Sequence, residues 1–269
     1  WKCVLIFSIL KDKNHSSLPE IISVGNIQRD GTRWTVPGTS DGSTYGTYLD
    51  VVAPGTDIKT TTVGTEGDYK FCTGTSPACP HVAATAGLIL SVNPSLTRTQ
   101  VTDIIESTAR KLPDYVFSTY QTRPNGAWNS EVGYGLIDPV AALRLAKGYY
   151  NLIEFDYSGQ SISFTVNADK DIAVIWDWDT EDITELSVTS PVEHTFSHTF
   201  STSGTRRIYI AEKVNYSTSA VPTSSSAITG FDFTTGVNAS NIDIKPINTA
   251  LEYVRIIGGS SIASQDILI

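Results

Sequence analysis

Apolar positions along the chain follow two regimes that meet near residue 150. Up to that point, short runs of β-branched residues alternate with segments of helical spacing. Beyond it the helical signals stop, and Ser, Thr, Val, Ile and aromatic residues dominate. The change predicts an α/β region followed by an all-β region, with a boundary between Lys147 and Asn151.

In the first region, Ile21 to Val24 and Leu49 to Ala53 read as short buried strands, the second closed by Pro54-Gly55. Pro77 to Val92 reads as a helix whose Val82, Ala83, Ala84, Ala86, Leu88, Ile89 and Leu90 cover nearly every face, which assigns it to a domain centre. Thr97-Arg98-Thr99-Gln100 has capping-box form, and Val101, Ile104, Ile105 and Thr108 follow at helical spacing. A third helix, Val140 to Ala146, is punctuated by Asp138 as N-cap, Pro139 at its first position and Gly148 beyond Lys147.

In the second region, Ile162-Ser-Phe164-Thr-Val166 and Ile172-Ala-Val174-Ile-Trp176 alternate as strands, with another at Arg207 to Ala211. They predict an antiparallel sandwich of roughly 80 residues. From Ile228 the pattern changes again: Ile242-Asp-Ile244, then Leu251-Glu-Tyr-Val254-Arg-Ile256, has the strand form of a leucine-rich repeat.

Composition narrows the function classes. With 40% hydrophobic and 17% charged residues among 269, the chain can build a core. Its net charge of -9, from 28 acidic against 19 basic residues, argues against a nucleic-acid partner. The longest apolar runs, Val4 to Leu10 and Val82 to Val92, are too short or broken to span a bilayer. No methionine occurs at all, which suggests a piece of something longer. Cys3, Cys72 and Cys79 form neither a disulfide framework nor a zinc spacing and read as buried thiols. Asp177, Asp179, Glu181 and Asp182 read as a solvated turn rather than a Ca²⁺ site, and His194 and His198 as satisfied or exposed histidines. No metal or cofactor is expected.

Candidate chemistry concentrates in Gly74-Thr75-Ser76-Pro77-Ala78-Cys79-Pro80-His81-Val82-Ala83. A serine at a helix mouth faces free N–H groups and the positive end of the macrodipole, which would stabilise an oxyanion beside it. On position alone Ser76 reads as a helix cap.

This stretch resembles the active-serine segment of subtilisin-like serine proteases. Leu18 to Gly25, Leu49-Asp-Val-Val-Ala-Pro-Gly55, Asn93-Pro-Ser-Leu-Thr97 with Gln100-Val101, and Gly133-Tyr-Gly-Leu-Ile-Asp138 are similar to other segments of that family, in the family's order. The resemblance covers residues 18 to 143 and implies the second half of a doubly wound, parallel-sheet catalytic domain. It makes Ser76 the nucleophile of an acyl-enzyme mechanism on polypeptide substrates, with His81 a structural member of its helix. The family orders its triad Asp, His, Ser, yet no Asp-Thr-Gly or His-Gly segment precedes Ser76. His15, without a following glycine, reads as a loop residue. The family's oxyanion asparagine follows a strand like Val4-Leu-Ile-Phe7, and Asn14 is the nearest candidate, displaced by three. These departures imply that the chain alone does not hydrolyse peptides.

Trp176-Asp-Trp-Asp-Thr180, then His198-Thr-Phe200 and Gly204, resembles PKD-like β-sandwich domains with their glycines absent, and Asn248 to Tyr253 looks like bacterial surface-type leucine-rich repeats. The expected organisation is thus a partial peptidase domain at 1–148, a PKD-like sandwich at 151–226 and a repeat-like tail at 227–269. The chain would be secreted or on the cell surface, its β-domains facing a surface or protein ligand. The other reading is a non-catalytic adhesion or recognition protein that keeps a degenerate protease half as scaffold. A half sheet of this kind should also leave its central helix bare on one side.

Overall fold

The structure, a computed structural model, describes residues 6–7, 21–39, 41–63, 68–216, 227–233, 239–244, 253–256 and 267–268. It divides into two compact units, Trp1–Lys147 and Gly148–Ile269.

In the first unit, β1 (Ile6–Phe7), β2 (Ser23–Ile27) and β3 (Val51–Pro54) form a parallel sheet in that order, with Val24 opposite Val51 and Asn26 opposite Ala53. β4 (Ile58–Thr61) and β5 (Tyr69–Cys72) make a hairpin that delivers the chain to α1 (Thr75–Val92). α2 (Arg98–Ser107), a second hairpin of β6 (Ser118–Tyr120) and β7 (Arg123–Trp128), and α3 (Pro139–Ala146) complete the unit. β2 and β3 each begin two residues later than the sequence pattern places them, at Ser23, where pairing with β1 starts, and at Val51, where pairing with β2 starts. Every residue of β2 and the first three of β3 are buried, as expected for strands covered on both sides. The described parallel sheet has three strands, which is less than a doubly wound architecture.

α1 packs against β2, β3, α2 and α3. It buries Ala78, Cys79, Val82, Thr85, Ala86 and Ile89, but Leu88 is 48% exposed, so the helix that reads as apolar all round has one solvent-facing side. Cys79 is buried as expected; Cys72, at the end of β5, is only half-buried, and Cys3 lies outside the described residues. The capping signals hold in detail. Gln100 N donates to Thr97 Oγ1 at 3.3 Å while Thr97 N donates to Gln100 Oε1 at 2.9 Å, and Ala141 N donates to Asp138 Oδ1 at 3.0 Å.

In the second unit, β8 (Tyr149–Ala168), β9 (Ile172–Asp177), β10 (Asp182–Leu186), β11 (Val192–Lys213), β12 (Ile228–Phe233), β13 (Ala239–Ile244), β14 (Tyr253–Ile256) and β15 (Ile267–Leu268) share one sheet. β8 and β11 pair antiparallel along nearly their whole length, with register breaks between Thr199 and Gly204 and between Ile210 and Ala211. Each break shifts the inward parity of β8: its buried positions run 150, 152, then 153, 155, 157, and then 162, 164, 166, 168. The inward residues gather an aromatic core around Phe164, whose ring lies 5.5–6.2 Å from those of Phe155, Trp176, Phe196, Phe231 and Phe233.

Strands on both sides of residue 226 belong to this one sheet. β12 and β13 hydrogen-bond directly to β8, and β14 and β15 extend the same sheet through parallel pairing with β12 and β13.

Candidate active site

The site is built by the chain's entry into α1. Gly74 is the N-cap, with φ of 148°, a conformation that side-chain-bearing residues rarely adopt, and no side chain caps the helix. Ser76 therefore stands at the second helical position, inside the first turn, and is not the cap that position alone suggests. Its side chain is exposed, and among the described residues its hydroxyl has no hydrogen-bond partner. The first-turn amides left over are few. Gly74 N donates to Gly55 O at 2.8 Å and Pro77 has no N–H, so among the described residues the unpaired donors of the helix mouth are those of Thr75 and Ser76. Two main-chain donors and the positive end of the helix dipole thus lie in the same turn as this exposed hydroxyl.

A network holds this entry in place. The turn after β3 meets the turn before α1 through the Gly74–Gly55 bond, through Asp57 N donating to Thr73 Oγ1 at 3.0 Å, and through the pairing of Ile58 with Cys72. Thr56 Oγ1 donates to Asn26 Oδ1 at 3.2 Å. Gly55 has no room for a side chain: an added Cβ would lie 2.6 Å from Asn26 Oδ1 and closer still to the Gly74 carbonyl.

His81 lies within α1 and bonds along it. Its Nδ1 lies 3.0 Å from the Pro77 carbonyl, one turn back on the same helix, and its own carbonyl accepts from Thr85 Oγ1 at 2.8 Å. A neutral imidazole in this contact carries its proton on Nδ1. Asn14 and His15 lie outside the described residues.

Residues 10–135 match the Subtilase family. The chain is 44% identical over 94 residues to Subtilisin NAT of Bacillus subtilis subsp. natto, a stretch covering 35% of this chain and 23% of that protein. It is 40% identical over 89 residues to the Cell wall-associated protease of Bacillus subtilis (strain 168), covering 33% and 9%. A solved structure of proteases from Pseudoalteromonas arctica matches at 26% identity and a TM-score of 0.38, over 49% of this chain and 38% of that one. The chain thus spans under a quarter of the length of Subtilisin NAT. Ser76, the Gly55 and Gly74 turns and Asn26 all fall within the subtilase match.

The subtilase-like unit also holds a polar cluster that the sequence reading does not anticipate. A cavity of about 560 Å³ is bordered by Tyr48, Asp50, Asp103, Glu106, Arg123 and Asn125, among others. Asp50 accepts from Ser23 N at 2.7 Å and from Arg123 Nη1 at 2.8 Å, and Arg123 also reaches the Thr47 carbonyl. Asn125 Nδ2 lies 2.8 Å from both Asp103 Oδ1 and Glu106 Oε2. Burial pushes the Glu106 carboxyl up to about 8, with the Asp50 charge adding to the shift. Burial also raises Asp50, although its Ser23 and Arg123 hydrogen bonds oppose it. The one sequence signal available was a charge placed where spacing predicts core: Asp50 between Leu49 and Val51, and Glu106 next to Ile105.

In the second unit the acidic turn closes on itself. Asp177 Oδ1 accepts from Asp179 N at 2.8 Å, an Asx-turn, and no group of His, Cys, Asp and Glu among the described residues could hold a metal ion. The two strand histidines do not come together as ligands. His194 packs edge-on against Phe196, while His198 stacks on Trp176 at 4.7 Å and lies 3.3 Å from Asp182 Oδ2.

Proposed function

We propose that this chain carries the nucleophile of a subtilisin-like serine endopeptidase that hydrolyses peptide bonds through an acyl-enzyme on Ser76. The observation that carries the reading is the placement of Ser76. Among the described residues its exposed hydroxyl has no hydrogen-bond partner, and it stands at the second position of α1, beside the amides of Thr75 and Ser76. Ser76 Oγ attacks the scissile carbonyl carbon and its proton passes to a general base. The carbonyl oxygen, now an oxyanion, accepts from the Ser76 N–H. Collapse of the adduct breaks the C–N bond, the base returns the proton to the departing amine, and water then releases the acyl group by the reverse sequence. The base is a histidine from outside the described residues, since His81 is engaged with the Pro77 carbonyl. Asn14 remains the candidate for a second oxyanion donor.

On this reading the 269-residue chain alone is not competent, and the substrates are polypeptides. An extracellular or envelope location fits, given the cell wall-associated protease among the relatives. The Trp176 and His198 motif supports a PKD-like origin for the second unit, and the parallel pairing of β14 with β12 suits a repeat-like end. A recognition role without catalysis is the second reading. It is favoured by the absence, among the described residues, of any base bonded to Ser76, and it leaves a surface or protein ligand to the β-unit.

A fluorophosphonate probe separates the readings. The natural gene product, including any reading frame upstream of Trp1, should be phosphonylated at Ser76 and lose the label in Ser76→Ala, whereas the 269-residue chain should stay unlabelled. An unlabelled natural product would favour recognition. Labelling of the 269-residue chain at Ser76 would place the base within it.

A further inference from the structure

We propose that Asn26 is a positioning residue for Ser76, acting through the Gly55 and Gly74 turns; the proposal rests on the reading of Ser76 as nucleophile. Asn26 lies at the carboxyl end of β2, fully buried, with a polar side chain in a strand whose other inward residues are apolar or small. Burying a carboxamide is unfavourable unless it makes bonds that matter there. Its main chain is fixed on both sides, with Asn26 N donating to Ser43 Oγ at 2.8 Å and Trp34 N donating to Asn26 O at 3.1 Å. From that fixed platform the side chain extends toward the neighbouring turn, where its Oδ1 accepts the Thr56 hydroxyl and stands 2.6 Å from where a Cβ on Gly55 would lie.

Gly55 is the residue whose carbonyl receives the Gly74 amide, and Gly74 is the N-cap two residues before Ser76. A displacement of Gly55 therefore passes through one hydrogen bond into the helix mouth. An alanine at position 26 would leave the Thr56 hydroxyl without its acceptor and an empty space beneath Gly55, so the turn could sink by the width of a carboxamide. Asn26 Nδ2 is buried and has no partner among the described residues. The bond this buried side chain does make is that of its Oδ1, to the Thr56 hydroxyl.

The test is residue-resolved amide hydrogen exchange on the full chain, comparing wild type with Asn26→Ala, Thr56→Val and the double variant. Asn26→Ala should speed exchange of the Gly74 amide at least about tenfold, as expected when a turn bond opens locally, with the amides of Ile104 and Ile105 in α2 unchanged. Thr56→Val should act on the same amide, and the double variant should be no worse than the stronger single. An unchanged Gly74 amide would overturn the proposal, as would equal acceleration of every amide, which marks a purely structural residue. If Asn26→Ala does not fold, Thr56→Val alone decides, because it removes the same bond from the half-buried side. The readout does not involve the serine's chemistry, so failure of the nucleophile reading would appear only in phosphonate labelling of the natural product.

Discussion

The amide of Gly74 donates to the carbonyl of Gly55 at 2.8 Å, joining the end of β3 to the first turn of α1. Both partners are glycine for steric reasons. Gly74 adopts a φ of 148°, and Gly55 is pressed between the Asn26 carboxamide and the Gly74 carbonyl. Since these neighbours include backbone, Gly55→Ala cannot be absorbed by a rotamer change. We expect it to cost about 1–3 kcal/mol, the range for overpacking a filled site. Denaturant unfolding of the variant checks this, and unchanged stability would show that the turn yields.

The start of α1 shows where legibility ended. Proline suits the first helical position, so the sequence pattern starts the helix at Pro77, but proline is tolerated anywhere in the first turn where its N–H would be unpaired. Gly74 permits the turn two residues earlier, so Thr75 and Ser76 enter the helix, and the serine is a first-turn residue rather than a cap. In the second unit, alternation identified Ile162 to Val166 but not the full 20 residues of β8, because the register breaks opposite Gly204 and Ala211 shift its phase. The cluster of Asp50, Asp103, Glu106, Arg123 and Asn125 was illegible for another reason: its members come from separate elements and meet only in the fold.

The capping box of α2 was legible residue by residue, and it gives a contained prediction. Thr97→Ala removes the acceptor of the Gln100 amide and should destabilise the first unit by about 1 kcal/mol, whereas Thr97→Ser should restore most of that loss. Parallel unfolding curves of the two variants measure it. A Ser variant no better than Ala would mean that the Thr97 methyl, not its hydroxyl, carries the effect.

Phe164 tests the second unit. It is fully buried and touches five other aromatic rings drawn from β8, β9, β11 and β12. Phe164→Ala should cost about 3–5 kcal/mol through lost burial and the cavity left behind. Because the chain has two compact units, a single unfolding midpoint would mix them. Amide exchange resolves the matter: protection should fall along β8, β11 and β12 and persist in α2. Loss of protection in both units together would show that they unfold as one.

Glu106 predicts how the first unit responds to pH. Its carboxyl titrates near 8 in the folded chain because it is buried beside Asp50, against an ordinary value of 4.5. Between those two values the unfolded chain has released this proton and the folded chain still holds it. Folding then binds a proton, and stability must fall as pH rises through the window, levelling off above about 8. Asp50 and Asp103, which face Glu106 from the approach to β3 and from α2, are also raised by burial and add slope of the same sign. Lys111 acts in the opposite sense. Burial lowers it to about 8 from 10.5, so stability gained from its deprotonation begins only where the Glu106 effect ends. Glu106→Gln keeps the shape and the contact with Asn125 but cannot ionise. It should flatten the stability profile between pH 5 and 8 and raise stability most at the alkaline end, by a margin that vanishes near pH 4. Urea unfolding of the two proteins across that range gives the comparison, and parallel profiles would show that Glu106 ionises in the folded chain as an ordinary carboxylate.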